Sequence, residues 1–238
     1  MRRFGIWKKE KKAICPYCDF ELEKKPTSKK KCPNCGDYIW VRTPYLDKKS
    51  KEKLLFTEEQ VKIFDKEKRR YYDRKNWINR LYSYDVTEKE FDRETENLKK
   101  RFGFNPPYAD VAWGLLGRRK LQYFEALEFG RVSSVCHDMA RICYEENKPI
   151  QHFLEEASKY ELMGMEGIRE NAIIHIASSE SEEACPKCKE LLGKRLTYKE
   201  AKEKKLLPVL ECENIEEGKG AGQGFCRCWY GLDLKDNK

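Results

Sequence analysis

Cys15-Pro16-Tyr17-Cys18, thirteen residues, then Cys32-Pro33-Asn34-Cys35-Gly36: this spacing decides how the N-terminal part of the chain folds. Two residues between cysteines allow a tight turn that aims both sulfurs at one ion, and zinc takes four such thiolates in a tetrahedron. Gly36 permits the positive φ that such a turn needs. The thirteen intervening residues suffice for a hairpin. The pattern predicts a structural zinc ribbon over residues 1–46, with Cys15, Cys18, Cys32 and Cys35 as its ligands.

The charge around this motif is lopsided. Residues 1–53 hold 16 Lys and Arg against 7 Asp and Glu, and the remaining residues hold 33 against 34. The net charge of +8 therefore belongs to the ribbon, and four thiolates around Zn²⁺ would lower it by only about 2. Lys8, Lys9, Lys11, Lys12, Lys24, Lys25, Lys29, Lys30 and Lys31 crowd the cysteines, with Tyr17, Phe20, Tyr38 and Trp40 among them. Cations interleaved with aromatics grip phosphates and stack on bases. Lys24, Lys25, Lys29, Lys30, Lys31, Tyr38 and Trp40 are thus the expected nucleic-acid contacts. Contact with a protein partner, or a solvated lysine surface on a fold-stabilising module, are the competing readings.

Beyond a charged linker at 47–56 the pattern turns helical. Thr57 with Gln60, and Thr87 with Glu90, have capping-box spacing. They predict helices from about 58 into the low 80s and from about 88 to 102, the second stopped by Gly103. Asn105-Pro106-Pro107 breaks the chain. Three further amphipathic stretches follow, carrying Val111 to Leu127, Val132 to Cys143 and Phe153 to Tyr160. Residues 57–168 read as a helical bundle, whose surface is open to oligomerisation or protein contact. At Asn171 the pattern changes. Ala172–Ala177 is a β-branched run and reads as a strand, Lys194–Thr197 as a short one, and Phe225–Leu232 as a closing strand. A lysine-rich helix spans about 198–205, and the four glycines within Gly218–Gly224 read as a flexible loop. Residues 169–238 form a small cysteine-rich module. The fold class is α+β and multidomain.

In that module, Cys185-Pro186-Lys187-Cys188 is followed by Leu191-Leu192-Gly193-Lys194, by Leu207-Pro208 and by Cys226-Arg227-Cys228-Trp229. This order resembles the C-terminal segment of phage head-morphogenesis proteins of the Mu F-like minor capsid family, over about 45 residues of the 238. The resemblance implies a metal-binding module and a role as a phage or prophage head or assembly factor. Family members often carry a histidine shortly before the Cys-Arg-Cys, whereas this chain has Cys212 near Pro208. The module has five cysteines, Cys185, Cys188, Cys212, Cys226 and Cys228, and zinc takes four. The expected set is Cys185, Cys188 and Cys212 with one of the last pair, Cys226 favoured. Two zinc ions per chain are expected, each in a closed structural site.

Eight of the eleven cysteines lie in tight pairs, which in a reducing compartment read as metal ligands rather than disulfides. No stretch approaches the roughly 18 apolar residues of a membrane span, and the N-terminus lacks the apolar core of a secretory signal. The expectation is a cytoplasmic protein with no membrane partner. Only His137, His152 and His175 are present, and no P-loop, dinucleotide fingerprint, nucleophile elbow or His-Glu-x-x-His occurs. Cys136 and Cys143 share a helix face and read as core. The leading reading is a zinc-stabilised, non-enzymatic binding or adaptor protein. The minor head factor is the second, and a metal-dependent enzyme acting on nucleic acid, with His175 and nearby acids at its site, is the third.

Overall fold

The computed structural model describes residues 13–47, 49–166, 172–178, 182 and 184–233. Lys8, Lys9, Lys11, Lys12, Lys48 and the change of pattern at Asn171 lie outside them. The described chain is mixed helix and sheet, and it divides into two compact units, 1–76 and 77–238.

The first unit is built on two superimposable turns. Strands β1 (Ala13–Ile14) and β2 (Glu21–Leu22) pair antiparallel around Cys15–Cys18, and β3 (Lys30–Lys31) and β4 (Tyr38–Arg42) around Cys32–Cys35. In the first turn Asp19 N donates to Cys15 O and Cys15 N to Phe20 O; in the second Gly36 N donates to Cys32 O and Cys32 N to Asp37 O. Asp19 (φ 56°) and Gly36 (φ 79°) occupy equivalent left-handed positions. Aspartate tolerates that region better than most residues do, so one turn uses it where the other uses glycine.

Leu54–Phe56, read from sequence as the end of a charged linker, is a strand, β5, paired antiparallel to β4 with Trp40 opposite Phe56 and Arg42 opposite Leu54. Cross-strand pairing of half-buried apolar side chains outweighs the charged run before it. Helix α1 (Glu58–Leu81) follows at once, opened by a reciprocal Thr57–Gln60 cap. Phe64 of α1 packs on Tyr45 and Phe56 at 5.2 and 4.9 Å between ring centroids. Arg42 also makes a two-pronged ion pair with Asp65. The unit boundary falls within α1.

The second unit contains α2 (Glu88–Phe102), α3 (Tyr108–Glu125), α4 (Phe129–Glu145), α5 (Gln151–Met165) and the cysteine-rich segment. Thr87 and Glu90 form the expected capping box, and Gly103 (φ 77°) ends α2. In the cysteine-rich segment, β6 (Ile173–Ser178) lies between β7 (Arg195–Thr197) and β8 (Cys228–Asp233), all antiparallel, with α6 (Pro186–Lys189) and α7 (Tyr198–Lys204) beside them. Helix α4 is buried on two sides. Val132, Val135, Cys136 and Met139 join Leu115 and Leu116 in one core, while Ala140, Cys143 and Tyr144 join Ile174, Ile176 and the C-terminal cysteines in another. Trp113 and Phe153, edge to face at 5.3 Å, touch both cores. Glu161 of α5 also bridges elements: its carboxylate accepts from Ser133 Oγ and, at 3.0 Å, from Tyr230 N, with His137 Nε2 at 3.3 Å.

The glycine-rich loop is packed rather than free. A Cβ on Gly220 would sit 2.1 Å from the Tyr144 ring, and one on Gly224 only 1.6 Å from Cys212 O. Only glycine lets these backbones approach so closely. The same loop is pinned to α4 by Glu216, which takes a two-pronged Arg141 and is reached also by Lys219 and Arg227. Glu216 N donates to Tyr144 Oη at 2.7 Å and Ala221 N to Asn147 Oδ1 at 3.1 Å.

Gly224→Ala is expected to cost about 2–4 kcal/mol, since a backbone must move, and to lower the melting temperature of the chain by roughly 5–10 °C. Gly117→Ala, on α3 with open space around it, is expected to leave melting unchanged or raise it slightly; differential scanning calorimetry of the two variants checks the contrast. Arg141 first, then Lys219, holds the Glu216 carboxyl down at about 2 against an ordinary 4.5. A depressed carboxylate stabilises fully above its unfolded value and loses that contribution as pH falls through its folded one. The difference in urea midpoint between the wild type and Glu216→Gln is therefore expected to be constant above about pH 5 and to close between pH 4.5 and 2.

Candidate metal centres

The first unit gathers Cys15, Cys18, Cys32 and Cys35 with all four Sγ within 4.8 Å of one another. Cys15 and Cys35 are 3.9 Å apart, Cys18 and Cys32 3.8 Å. Disulfide sulfurs lie about 2.05 Å apart, and all eleven cysteines of the chain are free thiols. Four thiolates in a tetrahedron with metal–sulfur bonds of about 2.3 Å would have edges of about 3.8 Å, so the donor set fits a tetrahedral ion of that size. Four thiols this close cannot all ionise unaided. Asn34 Nδ2, donating to Cys18 Sγ at 3.5 Å, is the main reason Cys18 falls to about 6. Cys35 gains from a backbone donor at Asp37, yet desolvation and its Cys18 and Cys32 neighbours push it up to about 12. A bound divalent cation removes that conflict.

In the second unit the strand, the short helix and the packed loop bring five cysteines together. Cys185, Cys188 and Cys212 form one group and Cys188, Cys226 and Cys228 another, each within 4.8 Å, with Cys188 common to both. Cys212 lies 3.9 Å from Cys185 and 3.8 Å from Cys188, again the tetrahedral edge. Pro186 opens α6 directly after Cys185, which turns Cys188 back toward it. Gly224 against Cys212 O sets the approach of the Cys226–Cys228 segment. Cys226 and Cys228 are two residues apart, a spacing that shares one face along a strand; β8 begins at Cys228, and both cysteines are buried and both reach Cys188. A small void is lined by Cys185, Cys188, Cys212 and Cys228, together with Asn214 and Arg227. Cys226 Sγ instead accepts Val209 N–H at 3.3 Å.

Among the described residues, the lysines expected to contact nucleic acid are at the surface. Lys24, Lys25, Lys29, Lys30 and Lys31 are exposed, Tyr38 is 48% exposed and Trp40 half-buried. Lys30 pairs with buried Ile39 and Lys31 with Tyr38, which places Lys30 on the opposite sheet face from Lys31. Lys29 Nζ lies 3.7 Å from the centroid of the Trp40 ring and 4.5 Å from that of Tyr38, and Lys31 Nζ 5.2 Å from Tyr38.

Two ordering residues escaped the sequence reading. Tyr17 Oη accepts the Glu58 N–H at 2.7 Å, tying the first cysteine turn to the start of α1. Asn34, lodged inside the second Cys-x-x-Cys, reaches across to Cys18. An amide within a cysteine turn is the signal that could have found it. The histidines stand apart from both thiol clusters. His175 Nδ1 lies 3.1 Å from Asp233, which also pairs with Arg195, and its ring lies over Gly231. His152 is mostly exposed. Cys136 is fully buried, and burial first of all pushes it up to about 12, as befits an inert core thiol.

Among the described residues no helix is long and apolar enough to cross a membrane. Comparison of the chain with protein-family models, with curated proteins and with solved structures finds no match.

Proposed function

We propose that this protein is a non-enzymatic binding protein of the cytoplasm, stabilised by two zinc ions, whose N-terminal ribbon contacts nucleic acid. The observation that carries this reading is the charge of the first unit. Residues 1–76 hold 23 Lys and Arg against 12 Asp and Glu, and 77–238 hold 26 against 29. The unit holds a four-thiol cluster with tetrahedral spacing, and Lys24, Lys25, Lys29, Lys30 and Lys31 are exposed. Zinc suits all-thiolate donor sets, and closed four-ligand sites stabilise rather than catalyse. In the C-terminal site we assign Cys185, Cys188 and Cys212 as ligands, with Cys228 as the fourth, since it lies within 4.8 Å of Cys188 and lines the same small void as the other three. Cys226 then serves as a buried neighbour whose sulfur takes a backbone N–H.

Elemental analysis with native mass spectrometry is expected to find two zinc ions per chain. Cys228→Ser is expected to lose one of them and Cys226→Ser to keep both; the reverse result moves the assignment to Cys226.

Five lysine–phosphate contacts would make log K fall with log salt at a slope of about −3.5 to −4.5. Lys29→Ala/Lys30→Ala/Lys31→Ala together are expected to remove about 2 units of that slope while leaving the zinc content at two, as read by fluorescence anisotropy from 50 to 300 mM salt. A slope near zero for the unaltered chain would refute the nucleic-acid reading.

The second reading is a phage or prophage minor head factor. Its support is the convergence of Cys185, Cys188 and Cys212 with the Cys226-Arg227-Cys228 segment, the motif order that resembles the Mu F-like module. Such a factor would co-purify with portal or capsid proteins.

A further inference from the structure

On one face of the β3-β4-β5 sheet, Lys31 and Tyr38 sit opposite each other, and Trp40 and Arg42 follow at alternate positions along β4. Arg42 is committed to Asp65 of α1. Lys29 and Lys31 lie over aromatic rings: Lys29 Nζ is 3.7 Å from the Trp40 centroid and 4.5 Å from Tyr38, and Lys31 Nζ is 5.2 Å from Tyr38. Glu58, whose carboxylate feels the Lys29 charge, is already paired with Lys62 at 2.9 Å. Trp40 buries its Nε1 edge. The indole is thus half-buried with its Nε1 inward, and Lys29 Nζ covers its ring.

From this juxtaposition we propose that the Tyr38–Trp40 pair is a stacking platform for single-stranded nucleic acid, occupied in the free protein by the chain's own Lys29. The proposal rests on the nucleic-acid reading above and narrows it to unpaired strands. An exposed ammonium gains little from a ring face, and a stacked base gains more. A base arriving on Trp40 displaces Lys29, and the released ammonium has a phosphate of the same strand to neutralise. The exchange keeps both the aromatic face and the cation partnered. A duplex offers phosphates but no unpaired base, so it gains nothing from the platform. Lys30, on the other face of the sheet, takes no part in the exchange.

The test uses the full chain with (dT)12, (rU)12 and a 12-base-pair duplex at one fixed salt concentration. Trp40→Ala is expected to weaken binding to the single strands about tenfold and to change duplex binding less than twofold, and Trp40→Phe to recover most of the loss. Tyr38→Ala, at a site 48% exposed and so tolerant of truncation, is expected to act in the same direction by several-fold, which keeps the test open if Trp40→Ala fails to fold. Lys29→Ala is expected to reduce the single-strand salt slope by about 0.7, whereas Lys30→Ala leaves the stacking readout unchanged. The (dT)12 and (rU)12 arms tell DNA from RNA. Equal binding of strand and duplex, with both aromatic variants unchanged, would overturn the platform and leave the lysine contacts standing. Failure of every probe to bind would overturn the nucleic-acid reading and the platform with it.

Discussion

Sulfur atoms held at 3.8–3.9 Å organise each end of this chain. At that separation they are too far apart to be bonded and too close to ionise together without a cation. In the first unit the core around them is small among the described residues. The buried core there is Cys15, Cys32 and Ile39, with Cys18, Leu22 and Leu55 against it. Two- and three-residue strands cannot persist on backbone bonds alone. The thiol cluster and the aromatic packing of Phe64 on Tyr45 and Phe56 are what is left to hold them.

The second unit answers the same need differently. Its cysteines are part of a continuous core with α4, α5, β6 and β8. The loop that delivers Cys212 and Cys228 is held on α4 by Arg141, Tyr144 and Asn147. Thiols on such a loop are positioned by helix packing. In the N-terminal unit the thiols sit on the turns themselves. Two sites of similar chemistry in one chain thus stand on different structural supports.

Much of this was legible in advance where local rules apply. The Cys-x-x-Cys turns, the Thr87–Glu90 box, the Gly103 cap and the strand at β6 each follow from a few adjacent residues. Burial of Cys136 and Cys143 followed from helical spacing. What misled was composition. Leu54–Phe56 looked like the end of a charged linker, yet pairing with β4 makes it a strand. Four glycines looked like freedom, yet two of them mark close approaches to Tyr144 and Cys212. Glycine content reports permission to adopt a conformation, and the partner across the gap decides whether that permission is used for motion or for packing.

By itself, the sequence determined which residues could serve as sulfur ligands, where the helices start and stop, and that the cationic excess lies at one end. Those properties depend on spacing over a few residues or on counting. Only the tertiary structure decided that Cys188 is common to both C-terminal groups, that Cys228 rather than Cys226 lines the void between them, and that Lys29 and Lys31 lie over aromatic rings while Lys30 faces away. Such facts depend on which strands pair and in what register, and a one-residue slip reverses every face.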